Sequence, residues 1–85
     1  MEVVYKGTAI EDIDYWKKSE NMQIQKKISI LIEDIQLHPE TGLGKPERLK
    51  HEYSAYWSRR IDDKNRIIYK VYGNQIHILS LKGHY

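Results

Sequence analysis

The residues of this 85-residue chain best suited to chemistry lie in its second half. Lys45, Pro46, Glu47, Arg48, Leu49 and Lys50 set one carboxylate among three cations, where a glycine-bearing loop runs into an expected strand. Two readings apply. The commoner outcome for such a run is a solvated charge cluster; the chemical one has the cations hold an anionic substrate close enough for Glu47 to act as a base. Arg59 and Arg60 follow Trp57 and Ser58 on a strand whose alternation sends them to opposite faces, so that one of them can look into a concave surface. Arg66 opens a run stamped as buried by Ile67, Ile68, Tyr69 and Val71, and taken alone it reads more simply as a partner for Asp62 or Asp63. His84 and Tyr85 are by position ordinary tail residues. Yet the strand before them carries them to a sheet edge, and histidine exchanges its proton nearest neutral pH, which makes His84 a candidate general acid.

Other chemistries find less support. His38, His51, His77 and His84 lack the i, i+4 pairing of a helical zinc site, and no acidic run has EF-hand spacing, so no metal and no other cofactor is expected. With no cysteine and no Gly-x-Ser-x-Gly elbow, a thiol or serine nucleophile is unsupported. A carboxylate, a histidine, arginines and a tyrosine on a basic sheet suit metal-free RNA cleavage. In that reaction the ribose 2′-hydroxyl is the nucleophile, and the protein removes one proton, delivers another and stabilises the pentavalent phosphate. The charge distribution agrees with an RNA-facing surface. Overall the net charge is +2, but residues 1–43 hold five lysines against eight acids, and residues 44–85 hold nine Lys/Arg, including all four arginines, against four acids. A basic half can also simply solubilise a domain. Seven tyrosines, two tryptophans and no phenylalanine add rings with a polar handle, suited to a wet surface.

The elements that must position these groups follow from periodicity. Glu2 to Lys6 alternates as a strand, and Gly7 ends it. Thr8 and Glu11 form a capping box opening a helix to about Lys18, with Ile10, Ile13, Trp16 and the adjacent Ala9 as its apolar stripe. Ser19 or Asn21 caps a second helix, in which Ile24, Ile28, Leu31, Ile32 and Ile35 share one face, and His38 before Pro39 ends it. After the Glu40–Pro46 loop come strands at Arg48 to Glu52, Ala55 to Asp62, Arg66 to Tyr72 and Gln75 to Leu81, the last two joined by a Gly73-Asn74 hairpin. The expected fold is α+β: two N-terminal helices packed on one face of a mostly antiparallel sheet, in the order β-α-α-β-β-β-β. Eighty-five residues fit one domain spanning 1–85. The lack of cysteine fits a reducing compartment, and no apolar run exceeds the three residues Ile30 to Ile32, so a cytoplasmic protein without membrane span or leader is expected.

Taken together, several motifs resemble the YoeB family of RelE-like toxins from bacterial toxin–antitoxin systems. They are Lys45-Pro46-Glu47 with Leu49-Lys50, Trp57-Ser58-Arg59-Arg60-Ile61, Arg66 with Ile68 and Tyr69, and the terminal Lys82-Gly83-His84-Tyr85. The resemblance runs through essentially the whole chain, including Asp14-Tyr15-Trp16 and Lys26-Lys27-Ile28. It implies a RelE-like microbial ribonuclease fold with a twisted sheet and an mRNA endoribonuclease acting in the A site of the 70S ribosome. It further implies a YefM-like antitoxin as partner and self-association into dimers. It places the general base at Glu47, phosphate stabilisation at Arg66, the general acid at His84 and a supporting role at Tyr85. Lys50 and Arg60 match basic groove positions, and Arg59 and Lys82 complete the expected RNA-contacting set. The chain departs from the family at Asn65, where a histidine is frequent, and at Leu81, where a cysteine is frequent. Two other readings remain open: a related noncatalytic toxin fold that occupies another target such as a topoisomerase, and a noncatalytic RNA-binding or ribosome-associated module. Neither needs an acid and a base together.

Overall fold

The clearest helical period in the sequence also organises the structure, a computed structural model that describes residues 1–83. Helix α2 spans Met22–Leu37 and turns Ile28, Leu31 and Ile35 into the core, with Ile24 and Ile32 partly buried beside them. Asn21 is its cap, the side-chain oxygen accepting the Ile24 N–H at 3.1 Å. Helix α1 spans Ala9–Lys18 and departs from expectation at two points. Thr8 makes no capping bond; its hydroxyl instead donates to Asp12 Oδ2 at 2.9 Å. Ile10 is 67% exposed, because the inward stripe is Ala9, Asp12, Ile13 and Trp16, the i, i+3, i+4, i+7 positions of one face.

The sheet holds β1 (Glu2–Tyr5), β2 (Glu47–Arg48), β3 (Trp57–Arg60), β4 (Arg66–Tyr72) and β5 (Gln75–Ser80) in the order β1-β5-β4-β3-β2. All neighbours are antiparallel except β1 and β5, which run parallel. Both helices lie on one face of this open sheet, over Val3, Trp57, Ile67, Tyr69, Ile76 and Ile78. The β4–β5 hairpin turns at Gly73 with φ 59°, a left-handed conformation that glycine adopts without steric cost. No helix of the described residues is long and apolar enough to cross a membrane.

One strand is misplaced in the sequence reading, with consequences for the site. The expected strand Arg48 to Glu52 is instead β2 at Glu47–Arg48, followed by a 3₁₀ turn at His51–Tyr53 that opens with His51 at φ 60°. Glu47 is thus a strand residue, and its side-chain direction is set by the sheet. The last strand ends within one residue of expectation, at Ser80, and α1 clamps Leu81 just beyond it. Trp16 Nε1 donates to the Leu81 carbonyl at 2.8 Å, and Asp12 Oδ2 accepts the Leu81 N–H at 2.9 Å. Asp12, in an otherwise apolar stripe, is therefore a satisfied buried carboxylate.

Candidate functional site

Directly opposed residues of an antiparallel pair share a face. Glu47 opposes Ser58, Ser58 opposes Ile68, and Arg60 opposes Arg66. The neighbours Trp57, Ile67 and Tyr69 point into the helix-side core, so Glu47, Arg60 and Arg66 stand together on the open face. Glu47 and Arg66 sit two strands apart and two residues along, about 12 Å at the backbone, a gap that their side chains narrow around a ribose and its phosphate. Glu47 and Arg60 are exposed and Arg66 is half-buried. Asp62 does not pair with Arg66. It caps its own turn, one oxygen accepting the Lys64 and Asn65 N–H groups at 2.8 and 2.7 Å, and those bonds hold its carboxyl below the ordinary range against the opposing effect of desolvation.

The described chain ends against this same face. The Arg66 N–H donates to the Gly83 carbonyl at 2.8 Å, and the Gly83 N–H donates to Asn65 Oδ1 at 2.9 Å. With the Leu81 clamp, the segment 81–83 is fixed by four hydrogen bonds, quite unlike a fraying tail. His84 and Tyr85, expected as general acid and supporting residue, lie outside the described residues. Asn65, noted in the sequence only as a departure from the family pattern, is here a positioning residue. The signal for that role is its position: it immediately precedes Arg66 and ends the Asp62 turn.

Of the four expected RNA contacts, two lie on exposed positions: Arg60 on the open face, and Lys50 directly after β2. Lys82 is also exposed, but its ammonium sits 3.8 Å from the Tyr15 ring centroid of α1, toward the helix layer and away from the Glu47 row. Arg59 is a correction. It has no accessible surface and cannot reach RNA. Its guanidinium donates to Asp34 Oδ2 at 2.5 Å, to the Leu43 and Thr41 carbonyls at 3.1 and 2.8 Å and to the His38 carbonyl, while Nε donates to the Tyr69 hydroxyl at 3.1 Å. This one side chain ties the loop after α2 to β3 and so fixes the path into Glu47. Gly42 leaves room for the pair, since a Cβ there would lie 2.2 Å from Asp34 Oδ2.

The Asp34–Arg59 pair gives the fold an acid-sensitive joint. The Leu43 N–H bond, and then Arg59, hold the Asp34 carboxyl below its ordinary value of 3.8 despite partial burial. A carboxyl depressed in the folded state contributes stability that is complete above 3.8 and is lost as pH falls through the lower folded value. The melting temperature followed by circular dichroism should therefore drop as pH falls below about 4, and Asp34→Asn should be less stable at neutral pH yet flatter in that acidic range. An unchanged slope in the variant would remove Asp34 as the source.

Among the described residues no three His, Cys, Asp or Glu side chains converge as a metal site. The arrangement consists of a carboxylate facing two arginines across a strand row, with a rigidly held chain segment arriving beside one of them. It can accept a proton at one end and neutralise a phosphate at the other.

Residues 5–85 match the family described as YoeB-like toxin of bacterial type II toxin-antitoxin system. A curated relative, toxin YoeB of Streptomyces coelicolor, is 41% identical over 85 residues, all of both chains. The YoeB/ParE toxin from Agrobacterium tumefaciens superposes with a TM-score of 0.94 at 33% identity over the whole of both chains. From Staphylococcus aureus, the toxin chain of a YoeB–YefM complex gives 0.88 at 37% identity and that of a YoeB dimer 0.90 at 36%, each match covering 100% of this chain and 98% of the other.

Proposed function

The chain belongs to the YoeB-like toxins of bacterial type II toxin–antitoxin systems, and from that premise we propose that it is an endoribonuclease cutting mRNA in the A site of the 70S ribosome, which stops translation. Glu47 takes the proton of the ribose 2′-hydroxyl as its oxygen bonds to phosphorus. Arg66 neutralises the charge that gathers on the phosphate, Arg60 and Lys50 hold neighbouring phosphates, and His84 protonates the departing 5′-oxygen. The products are a 2′,3′-cyclic phosphate and a 5′-hydroxyl, and the protons balance between base and acid without a cofactor. Tyr85 supports the site with a ring on which an unpaired base can stack.

The observation that carries this reading is the register that sets Glu47, Arg60 and Arg66 on one open face, with Gly83 bonded to Asn65 and Arg66. A toxin fold that merely occupied a target surface, or a module that merely bound RNA, would need no base facing a phosphate binder. The same reading gives the protein a cytoplasmic site of action and a YefM-like antitoxin whose acidic, partly disordered segment covers the basic face and folds on binding. It also allows pairing of two copies. The test is purified protein added to ribosomes programmed with a defined mRNA, with cleavage mapped by primer extension. Cuts confined to the A-site codon, suppressed by the antitoxin, are expected; intact mRNA on occupied ribosomes would overturn the proposal.

A further inference from the structure

The open face carries a second concave feature, farther along the strands. A cavity of about 400 Å³ is lined by Lys6, Tyr56, Lys70, Tyr72, His77 and Leu79. Lys70 opposes His77 across β4 and β5, and Lys6 follows the end of β1, so three nitrogen-bearing side chains converge with no carboxylate among the described residues of the lining. The Lys70 ammonium lies 5.3 Å from the Tyr56 ring centroid and 5.7 Å from that of Tyr72, and the Tyr72 ring stacks on His77 at 5.5 Å and 27°. Tyr72 is 65% exposed, so its outer ring face is open to a ligand.

His77 is the unusual member. Only 7% of it is exposed, and its Nδ1 is a buried atom with no hydrogen-bond partner among the described residues. The Gln75 amide donates to Glu2 Oε1 at 2.7 Å, which leaves Gln75 Oε1 to accept from His77 Nε2 at 2.8 Å. Nε2 therefore carries the proton of the neutral ring, and Nδ1 is its orphan. On the neutral ring Nδ1 can only accept; on the protonated ring it becomes a donor, which a phosphate oxygen in this cavity can accept from.

We propose that this cavity is a second RNA subsite, which holds one nucleotide of the single-stranded substrate away from the cut, its phosphate between Lys6 and Lys70 and its base stacked on Tyr72. The proposal rests on the RNA-cleaving reading above and adds to it the grip on flanking sequence. Lys70 is four strand residues from Arg66 on the same face, about 13 Å, within reach of a short single strand. Two further features fit. Base stacking on tyrosine is indifferent to sequence, as a flanking contact should be. Burial, then Lys6 and Lys70, hold His77 below its ordinary value of 6.5, so a phosphate placed between those ammoniums relieves the suppression. The charged and titratable groups around the ring are Lys6 beyond β1, Lys70 and Tyr72 on β4, and Glu2 through Gln75. Affinity for RNA should then rise as pH falls through the His77 transition.

The test is fluorescence anisotropy of a 2′-O-methyl oligoribonucleotide, which cannot be cut, on the full chain and on Lys6→Ala/Lys70→Ala, with inorganic phosphate, uridine monophosphate and a glutamate-rich peptide as competitors. Nitrogen NMR of His77 in the unaltered protein accompanies it, so that the result does not hang on the variant's folding. Expected are a loss of affinity of about tenfold or more, a salt slope smaller by about 0.7 for one phosphate of a single strand, and His77 resonances that move with oligonucleotide and monophosphate. Unchanged affinity and slope in the double variant, while the unaltered protein still cleaves mRNA, would overturn the subsite alone. Failure of the unaltered protein both to bind and to cleave RNA would overturn the RNA reading with it. Displacement by the acidic peptide with no response of His77 to nucleotides would assign the cavity to a protein partner instead.

Discussion

Glu47→Ala is expected to slow mRNA cleavage on programmed ribosomes by about two orders of magnitude or more, the usual scale for a general base, and His84→Ala by a similar factor. Glu47 is exposed, and β2 pairs with β3 through main-chain bonds. Its truncation should therefore leave the folding stability within about 0.5 kcal/mol of the unaltered protein's. A loss of rate without a loss of fold separates a chemical role from a structural one. Cleavage at near the unaltered rate by either variant would strike that residue from the mechanism.

The second large effect is structural and falls on a neighbour that looks equivalent in sequence. Arg59→Met should destabilise the protein by about 3–5 kcal/mol, because it leaves Asp34 and three carbonyls without their common partner. In a domain of this size each kcal/mol shifts melting by about 4–8 °C, so the variant should melt at least about 12 °C lower. Arg60→Ala, one residue on and exposed, should hardly move the melting curve but should weaken cleavage. Equal melting temperatures for the two variants would contradict the account of the Arg59 clamp.

That pair of arginines illustrates what the sequence discloses. Alternation states that Arg59 and Arg60 point opposite ways; it does not state which way is inward. The answer depends on Asp34, Tyr69 and the 38–43 loop carbonyls, which come together only in three dimensions. The α2 face and the Gly73 hairpin were legible because both are local signals, a period and a turn dipeptide. The start of β2 was not, since a two-residue edge strand has no period and its register comes from β3. Ile10 misled because a three-residue spacing drifts off a helix face, and Asp12, polar by type, occupies the inward position that completes the stripe. The candidate site divides in the same way. Glu47 and Arg66 were singled out by residue type and neighbours, whereas Asn65 and the hold on Gly83 depend on a turn meeting a distant segment.

The central claim is that the RNA supplies its own nucleophile and the protein only moves protons and steadies charge. The most direct measurement is cleavage of two otherwise identical mRNAs on programmed ribosomes, one all-ribose and one with 2′-deoxyribose throughout the A-site codon. The all-ribose message should be cut to a 2′,3′-cyclic phosphate and a 5′-hydroxyl, with EDTA at levels that spare the ribosome leaving the rate unchanged, and the deoxy message should stay whole. Cleavage of the deoxy codon at a comparable rate would contradict the claim.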